Sequence, residues 1–437
     1  MQALLQQMEA KLDQLPVAVA LQLPNGMCVG PQVAQVRVLF SQWSNVAQLA
    51  AGQIGVIGQA YVEGRLELLG DAHDLMAAAS HLIGGNPTQA THRWWSEVWR
   101  RARALAQHTL ERDSEQIRFH YDVSDEFYGL WLDPLRVYSC AYYCESDLTL
   151  AQAQEAKLDL VCRKLQLRPG ERFLDVGAGW GGLLLWAAEH YGVQAMGITL
   201  SHNQHAYVSQ LIEAKGLQDR VQMRLLDYRL LDETQPFDKI SSIGMFEHVG
   251  RANMVSYFSK LYRLLKPGGL VLNHGITAGG TRNYRLGAGM GEFMEKYIFP
   301  GGELLHISQV LSNLAHSDLE ALDVENLRPH YAKTLWAWSD SLESQLDHAL
   351  AVLKKTAHER AEKILRAYKL YLSGSALSFE HGWISLHQIL AARPDGELTS
   401  GVLRGSQTEY PFQRSYMYGS CPTDGRVTSD GIAEYFL

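Results

Sequence analysis

What this 437-residue chain lacks narrows it before any motif is read. Its five cysteines, at 28, 140, 144, 162 and 421, form no paired metal-ligand spacing. Cys140 and Cys144 are the one near pair, and without a second cluster no metal is expected. An odd number of cysteines suits a reducing cytoplasm better than a disulfide framework. No run of about 18 apolar residues occurs, so the chain is expected to touch a bilayer rather than span one. The opening residues, Met1-Gln-Ala-Leu-Leu-Gln-Gln-Met-Glu-Ala10, set no basic region before an apolar core, which argues against a secretory signal. Basic excess is missing as well. A formal charge of −8, with 46% hydrophobic and 20% charged residues, describes a mildly acidic soluble chain and disfavours nucleic acid as a partner. Its length accommodates one catalytic domain of about 280 residues and a smaller one.

The most informative feature present is Phe173-Leu-Asp175-Val-Gly177-Ala-Gly179-Trp-Gly181-Gly182. An apolar strand ends in Asp175, glycines follow, and a helical run from Leu183 to His190 begins, so a helix N-terminus faces whatever binds. Gly177, Gly179 and Gly182 also satisfy G-x-G-x-x-G, which in a dinucleotide site expects an acid about 20 residues on. The next strand, Val193 to Ile198, ends instead in Thr199-Leu-Ser201-His-Asn-Gln204. A loop for S-adenosylmethionine fits better, and an NAD-dependent oxidoreductase is the weaker alternative.

The pattern continues through Val221 to Leu225 with Asp227-Tyr228, then Phe237 to Met245 with Phe246-Glu247-His248, then Leu261 to Leu265 with Lys266-Pro-Gly-Gly269 read as a helix stop and turn. Strands alternating with helices predict an α/β parallel sheet covered on both faces. Ligands in such sheets sit beyond the strands' carboxyl ends, so Asp175, Thr199, Asp227, Glu247 and His274 should line one crevice.

These residues resemble the cyclopropane-fatty-acyl-phospholipid synthase family and its mycolic-acid relatives. The resemblance rests on Phe119-His120-Tyr121-Asp122, Phe127 to Pro134, Tyr138-Ser139-Cys140-Ala141-Tyr142, the glycine loop, Thr199-Leu-Ser201 with Gln204, Phe246 to Gly250, Lys296 to Gly302, and His330-Tyr331 to Leu335 with Trp338. It covers roughly residues 115 to 390 and implies a Rossmann-like class I methyltransferase domain with a helical acyl-binding insertion. It also implies transfer of a methylene group from S-adenosylmethionine to cis double bonds of phospholipid acyl chains. Two alternatives stay open: C-methylation of the same alkene, or a lipid-binding protein that has lost catalysis.

By the same resemblance, Tyr138, Ser139, Asp175, Gly177, Gly179, Thr199, Gln204 and Tyr228 contact the cofactor, with Asp227 as a partner for the adenine amino group. Family members bind bicarbonate, and the matching residues are Cys140, Glu247, His274, the backbone of Ile276, and Tyr331. Attack by an alkene on a sulfonium methyl leaves a carbocation that must be kept dry and then deprotonated. Tyr142, Tyr143, Tyr284, Phe293, Tyr297 and Tyr331 are candidates to face that cation. Each site residue also has a plainer reading: Cys140 as a small buried hydrophobe, Glu247-His248 as a helix cap, His274 and Tyr331 as core. Ser375 stands where relatives commonly carry cysteine, which removes a thiol nucleophile, and Glu303 replaces a small or thiol residue.

Outside the catalytic part, residues 1 to 85 read as a small α+β lipid-handling module. Ala18 to Leu23 and Val36 to Phe40 have strand character, Pro24-Asn25-Gly26 marks a hairpin, and Val46 to Ala50 reads as helix, with Gly52, Gly55 and Gly58 as loop. Residues 86 to 115 contain an amphipathic helix with Trp95, Val98 and Trp99 on one face and Arg93, Arg100 and Arg103 on the other. It is either an interfacial membrane helix or a linker docked on protein. The catalytic domain is placed at 116 to 393, with one helical run from Leu342 to Tyr371 over the acyl site; no role is assigned to 394 to 437. The expected setting is the cytoplasm, peripheral at the inner face of the membrane, with a homodimer left open.

Overall fold

The computed structural model describes residues 8–83, 87–88, 124–281, 286–299, 302–395 and 411–418. The proposed amphipathic helix with Trp95 and Trp99, the Phe119 to Asp122 motif, Tyr284 and most of the C-terminal tail lie outside these residues.

Near the N-terminus, strands β1 (Val19–Gln22) and β2 (Cys28–Val29) pair antiparallel across the Pro24-Asn25-Gly26 turn. β1 runs parallel to β3 (Val36–Phe40), which pairs antiparallel with β4 (Leu66–Leu69), in the order β2-β1-β3-β4. Alternation decides the faces: Val19, Leu21, Val36, Val38 and Phe40 are buried, while Gln22 and Arg37 point out. Helices Trp43–Ala50, Ile54–Val62 and Ala72–Leu82 complete the module, the last N-capped by Asp71, which accepts from the His73 N–H at 2.8 Å.

Two expectations change here. Gly55 and Gly58 lie inside the helix Ile54–Val62 rather than in a loop. Glycine is a poor helix former, but a Cβ on Gly55 would come within 2.0 Å of the Gly289 carbonyl carbon, so close backbone approach demands it. Nor is the module's interior separate. Val19, Leu21, Ile57 and Ala60 belong to one apolar cluster with Trp131, Trp338, Tyr368 and Leu372 from the catalytic part.

The second sheet has seven strands in the order β10-β11-β9-β8-β5-β6-β7. β5 (Arg172–Val176), β6 (Gln194–Thr199), β7 (Val221–Leu225), β8 (Phe237–Ile243) and β9 (Leu265–Ala278) run parallel. β11 (Ile384–Ala392) is antiparallel to β9, and β10 (Glu320–Asn326) to β11. Chain order reverses on either side of β5, which opens a crevice beyond its carboxyl end. Apolar clusters built on Leu184 and Val208, and on Tyr257, Phe258 and Val310, help cover the sheet.

Lys266-Pro-Gly-Gly269 is not a turn outside the sheet. The helix Met254–Leu264 stops as expected, but β9 starts at once, and its register with β8 slips between Phe237 opposite Leu265 and Lys239 opposite Leu270. A strand irregularity therefore absorbs the proline and glycines. The helical run expected from Leu342 to Tyr371 is likewise three helices, Arg328–Glu343, Leu346–Ala357 and Ala361–Glu380. Gln345 marks the first break, donating its amide to the Leu130 carbonyl at 2.9 Å, and His358, at φ 48°, makes the second. Part of the tail has a packing role: Met417 is fully buried, and Arg414 meets Asp323 at 3.3 Å.

Candidate active site

Beyond β5 the chain passes through Gly177, Gly179 and Gly181, at φ 79°, 55° and 82°, before the helix Gly182–Tyr191. Those left-handed angles bring the backbone round sharply, and a Cβ on Gly179 would meet nothing within 4 Å because it would project into open space. That space is a cavity of ≈ 440 Å³. All nine residues expected to hold the cofactor line it: Tyr138, Ser139, Asp175, Gly177, Gly179, Thr199, Gln204, Asp227 and Tyr228.

Local bonds hold these groups in place. Asp175 accepts from the Ser241 hydroxyl at 2.6 Å, and burial lifts its carboxyl to about 6 against the pull of that bond and of Lys157. Thr199 donates its hydroxyl to Gln204 at 2.7 Å, and the Ser201 hydroxyl caps the helix His202–Ala214. Asp227 is already gripped by Arg229, through Nε at 2.9 Å and Nη2 at 2.7 Å, so only its remaining lone pairs can meet an adenine amino group.

Sequence reasoning missed Lys157, which donates to the Ser139 hydroxyl at 2.9 Å and whose ammonium burial pulls down to about 8. A signal was there: in the helix Leu150–Lys164, Ala153, Lys157, Leu160 and Lys164 share one buried stripe at spacings of three and four. Gly179→Val should abolish S-adenosylmethionine binding, because a β-branched residue disfavours φ 55° and its methyls fill the cavity. Calorimetry on the folded variant checks this, and unchanged affinity would reject the loop as the cofactor site.

A second, mostly apolar cavity of ≈ 290 Å³ is lined by all five residues expected at the reaction centre: Cys140, Glu247, His274, Ile276 and Tyr331. Glu247 sits in a short 3-10 turn after β8, and its Oε1 accepts from the Ile276 N–H at 2.6 Å. That N–H is thus committed to Glu247, and Ile276 acts by placing the carboxylate. Glu247 Oε2 and His274 Nε2 are buried with no hydrogen-bond partner. Burial raises the Glu247 carboxyl to about 7. It also pushes the Cys140 thiol far up, and that thiol donates to the Ala141 carbonyl at 3.1 Å, which makes it a neutral wall rather than a nucleophile.

The aromatic set is partly different from that expected. Phe293 and Tyr331 line the cavity, joined by Phe299, Tyr371 and Phe379. Tyr142 and Tyr143 instead stack on His330, with centroids 4.9 and 6.5 Å away, and Tyr297 donates its hydroxyl to Glu63 at 2.7 Å. Their positions in the motifs gave no hint of side-chain direction. Ser375 does face the cavity, whereas Glu303 turns its carboxylate to the Arg251 N–H at 3.1 Å. Of the cysteines, Cys140 and Cys162 are buried free thiols and Cys28 an exposed one.

Val19, Leu21, Val36, Leu75 and Leu82 of the N-terminal module line the same apolar cavity. The two cavities meet at Tyr138, Ser139, Gly244 and His248, which line both.

A reversed-order sheet, a glycine loop beyond its central strand and the cavity at that loop define a class I S-adenosylmethionine-dependent methyltransferase. The solved structure of mycolic acid cyclopropane synthase CmaA1, complexed with SAH and CTAB, superposes with a TM-score of 0.58 at 37% identity, over 64% of this chain and 98% of that one. Residues 108–389 match the mycolic acid cyclopropane synthetase family, and the chain belongs to it. A probable fatty acid methyltransferase of Pseudomonas putida is 43% identical over 404 residues, 92% of this chain and 96% of its own length. Cyclopropane mycolic acid synthase 1 of Mycobacterium tuberculosis is 39% identical over 281 residues, 62% of this chain and 94% of that protein.

Proposed function

We propose that this protein transfers a methylene group from S-adenosylmethionine to a cis double bond of a membrane phospholipid acyl chain, forming a cyclopropane ring. The observation that carries this reading is the junction of the two cavities, where the cofactor pocket shares wall residues with an apolar cavity that has a carboxylate and an imidazole in its wall. When bound, S-adenosylmethionine supplies an electrophilic methyl group. An isolated alkene is a weak nucleophile, so the side chains must hold it in line and dry. Leu335, Leu370, Leu377 and Ile384 provide apolar walls, and Phe293, Tyr331, Tyr371 and Phe379 line the same cavity with aromatic rings, whose π systems favour a developing cation.

Ring closure then needs a proton removed from the new methyl of the substrate. Glu247 Oε2 is an unpartnered acceptor and His274 Nε2 an unpartnered nitrogen in that wall. Bicarbonate suits such a pair, since its hydroxyl can donate to Glu247 while its oxyanion accepts from an imidazole N–H. Glu247 and His274 would hold it, with Cys140 and Tyr331 as neighbouring walls, and it would supply a base.

No helix among the described residues is long and apolar enough to cross a membrane, so in this reading the protein reaches its lipid from the membrane surface, at the cytoplasmic face. A second reading, C-methylation to a methyl-branched chain, gains support from the name of the Pseudomonas putida relative. Incubation with labelled S-adenosylmethionine and vesicles of unsaturated phospholipid tests both. Label in the acyl chain with upfield ring protons by NMR is expected for the cyclopropane, and label without them selects the branched product. No transfer to lipid rejects both.

A further inference from the structure

His274, Gln388 and Glu325 stand abreast on three neighbouring strands: Gln388 pairs with His274 across β11 and β9, and with Glu325 across β11 and β10. The Lys164 side chain, from the end of the helix Leu150–Lys164, reaches into this row. Its Nζ donates to Gln388 Oε1 at 2.8 Å and pairs with Glu325. Gln388 Nε2 lies 3.1 Å from His274 Nδ1. Lys164, Gln388 and His274 are each 1% exposed, so no bulk water competes for these bonds.

The chemistry of the three groups leaves one arrangement. An ammonium only donates, so the amide oxygen of Gln388 must face Lys164 and its NH2 must face His274. An amide NH2 only donates, so Nδ1 must accept, and the imidazole proton must sit on Nε2. A doubly protonated ring would set two donors against each other. Burial, with Lys157 and Lys164 nearby, also holds the His274 pKa well below its usual value. The group in the cavity wall is therefore an N–H donor.

We infer that Lys164 and Gln388 are positioning residues that lock His274 as the neutral Nε2–H tautomer, giving the cavity wall that also holds Glu247 an imidazole N–H donor for an oxyanion. This deepens the proposed function and rests on it for the identity of the anion, but the tautomer itself does not. With the proton on Nδ1, the two unpartnered atoms of that wall, His274 Nε2 and Glu247 Oε2, would both be acceptors, and His274 would offer an oxyanion no hydrogen bond. Gln388 thus sets the chemistry of a cavity that it does not line.

The test uses histidine-selective 15N labelling of the full chain without cofactor, bicarbonate or lipid, with His274 assigned by its loss in His274→Asn. Couplings from the ring carbons' protons to the two nitrogens report which one carries hydrogen. Wild type should show Nε2–H. Gln388→Glu keeps size and the Lys164 partner but puts an acceptor opposite Nδ1, so the proton should move to Nδ1 and turnover should fall at least about 30-fold, with the KM for S-adenosylmethionine within about twofold. Lys164→Met is the second variant, because it frees the amide to rotate and should shift the tautomer the same way. A wild-type Nδ1–H ring, or a tautomer unmoved in Gln388→Glu, overturns the relay, and so does a moved tautomer with unchanged turnover. Failure of the lipid reading would show separately, as absence of cyclopropane product from wild type whose tautomer is Nε2–H.

Discussion

Glu247→Gln should lower turnover by about 100-fold or more, the usual scale for losing a group that serves proton transfer, while S-adenosylmethionine affinity stays within about a factor of two. The amide keeps the shape of the carboxylate, its oxygen can still accept from the Ile276 N–H, and Glu247 lies in the apolar cavity rather than the cofactor one. Only the charge is lost. Because burial lifts this carboxyl to about 7, the wild-type rate should climb as pH rises through neutrality and level off above it, and the variant should lack that limb.

Stability moves the opposite way. A carboxyl whose folded pKa exceeds its unfolded value of 4.5 contributes stability below that value, and loses it as pH rises through about 7. Glutamine never ionises, so at pH 8 the variant should be the more stable protein, by something on the order of 3 kcal/mol. Steady-state rates across pH and paired thermal melts measure both effects. If bicarbonate is the base, stripping dissolved carbon dioxide should depress the wild-type rate and restoring it at constant pH should recover it. Wild-type turnover in the variant would mean that another group serves the proton step and that Glu247 is structural.

Gly55→Ala should be among the most damaging single-carbon additions in the chain. Its Cβ would lie 2.0 Å from the Gly289 carbonyl carbon and 2.3 Å from the Met290 nitrogen, and Gly55 itself donates to the Ala288 carbonyl at 2.9 Å. Backbone on both sides cannot rotate away as a side chain could. The helix Ile54–Val62 and the turn before the helix Met290–Tyr297 must separate, and both contribute walls to the apolar cavity. A loss of about 3 kcal/mol or more is expected, the upper range for overpacking, with a fall in lipid turnover. Gly374→Ala is the contrast: that glycine is helical, a Cβ there meets nothing within 4 Å, and the change should gain about 0.5–1 kcal/mol. Denaturant titration of the pair decides, and a harmless Gly55→Ala would show that the N-terminal module is not pressed against the catalytic part.

Much of the catalytic half was legible because its signals are local. The apolar run into Asp175, the glycines and the helix after them specify a strand, a loop and a ligand-facing helix within ten or so residues, and the strand Val221–Leu225 was bounded correctly by its composition. Asp175, Thr199 and Asp227 could be gathered into one crevice because parallel sheets place strand ends on one edge, whereas His274 lies inside β9, which runs on to Ala278, and with Glu247 it lines the second cavity. Every residue named for the cofactor and for the reaction centre lines one of the two adjoining cavities, including Tyr138, Ser139 and Cys140, which are in no strand, and Tyr331, which is in the helix Arg328–Glu343.

What sequence could not carry was anything that depends on distant partners. Gly55 and Gly58 read as loop because helix propensity is local, whereas the contact that requires Gly55 lies more than two hundred residues away at Gly289. Tyr142 and Tyr143 sit in the right motif but turn toward His330, a direction set by packing. Lys164, Gln388 and His274 have no relation along the chain; an antiparallel register and an incoming helix end make them neighbours. By itself, then, the sequence determined the cofactor loop and the parallel sheet, since these follow from short-range pattern. The tertiary structure alone decided that the N-terminal module helps line the apolar cavity and which imidazole nitrogen carries the proton, because both rest on contacts that exist only once distant segments are packed together.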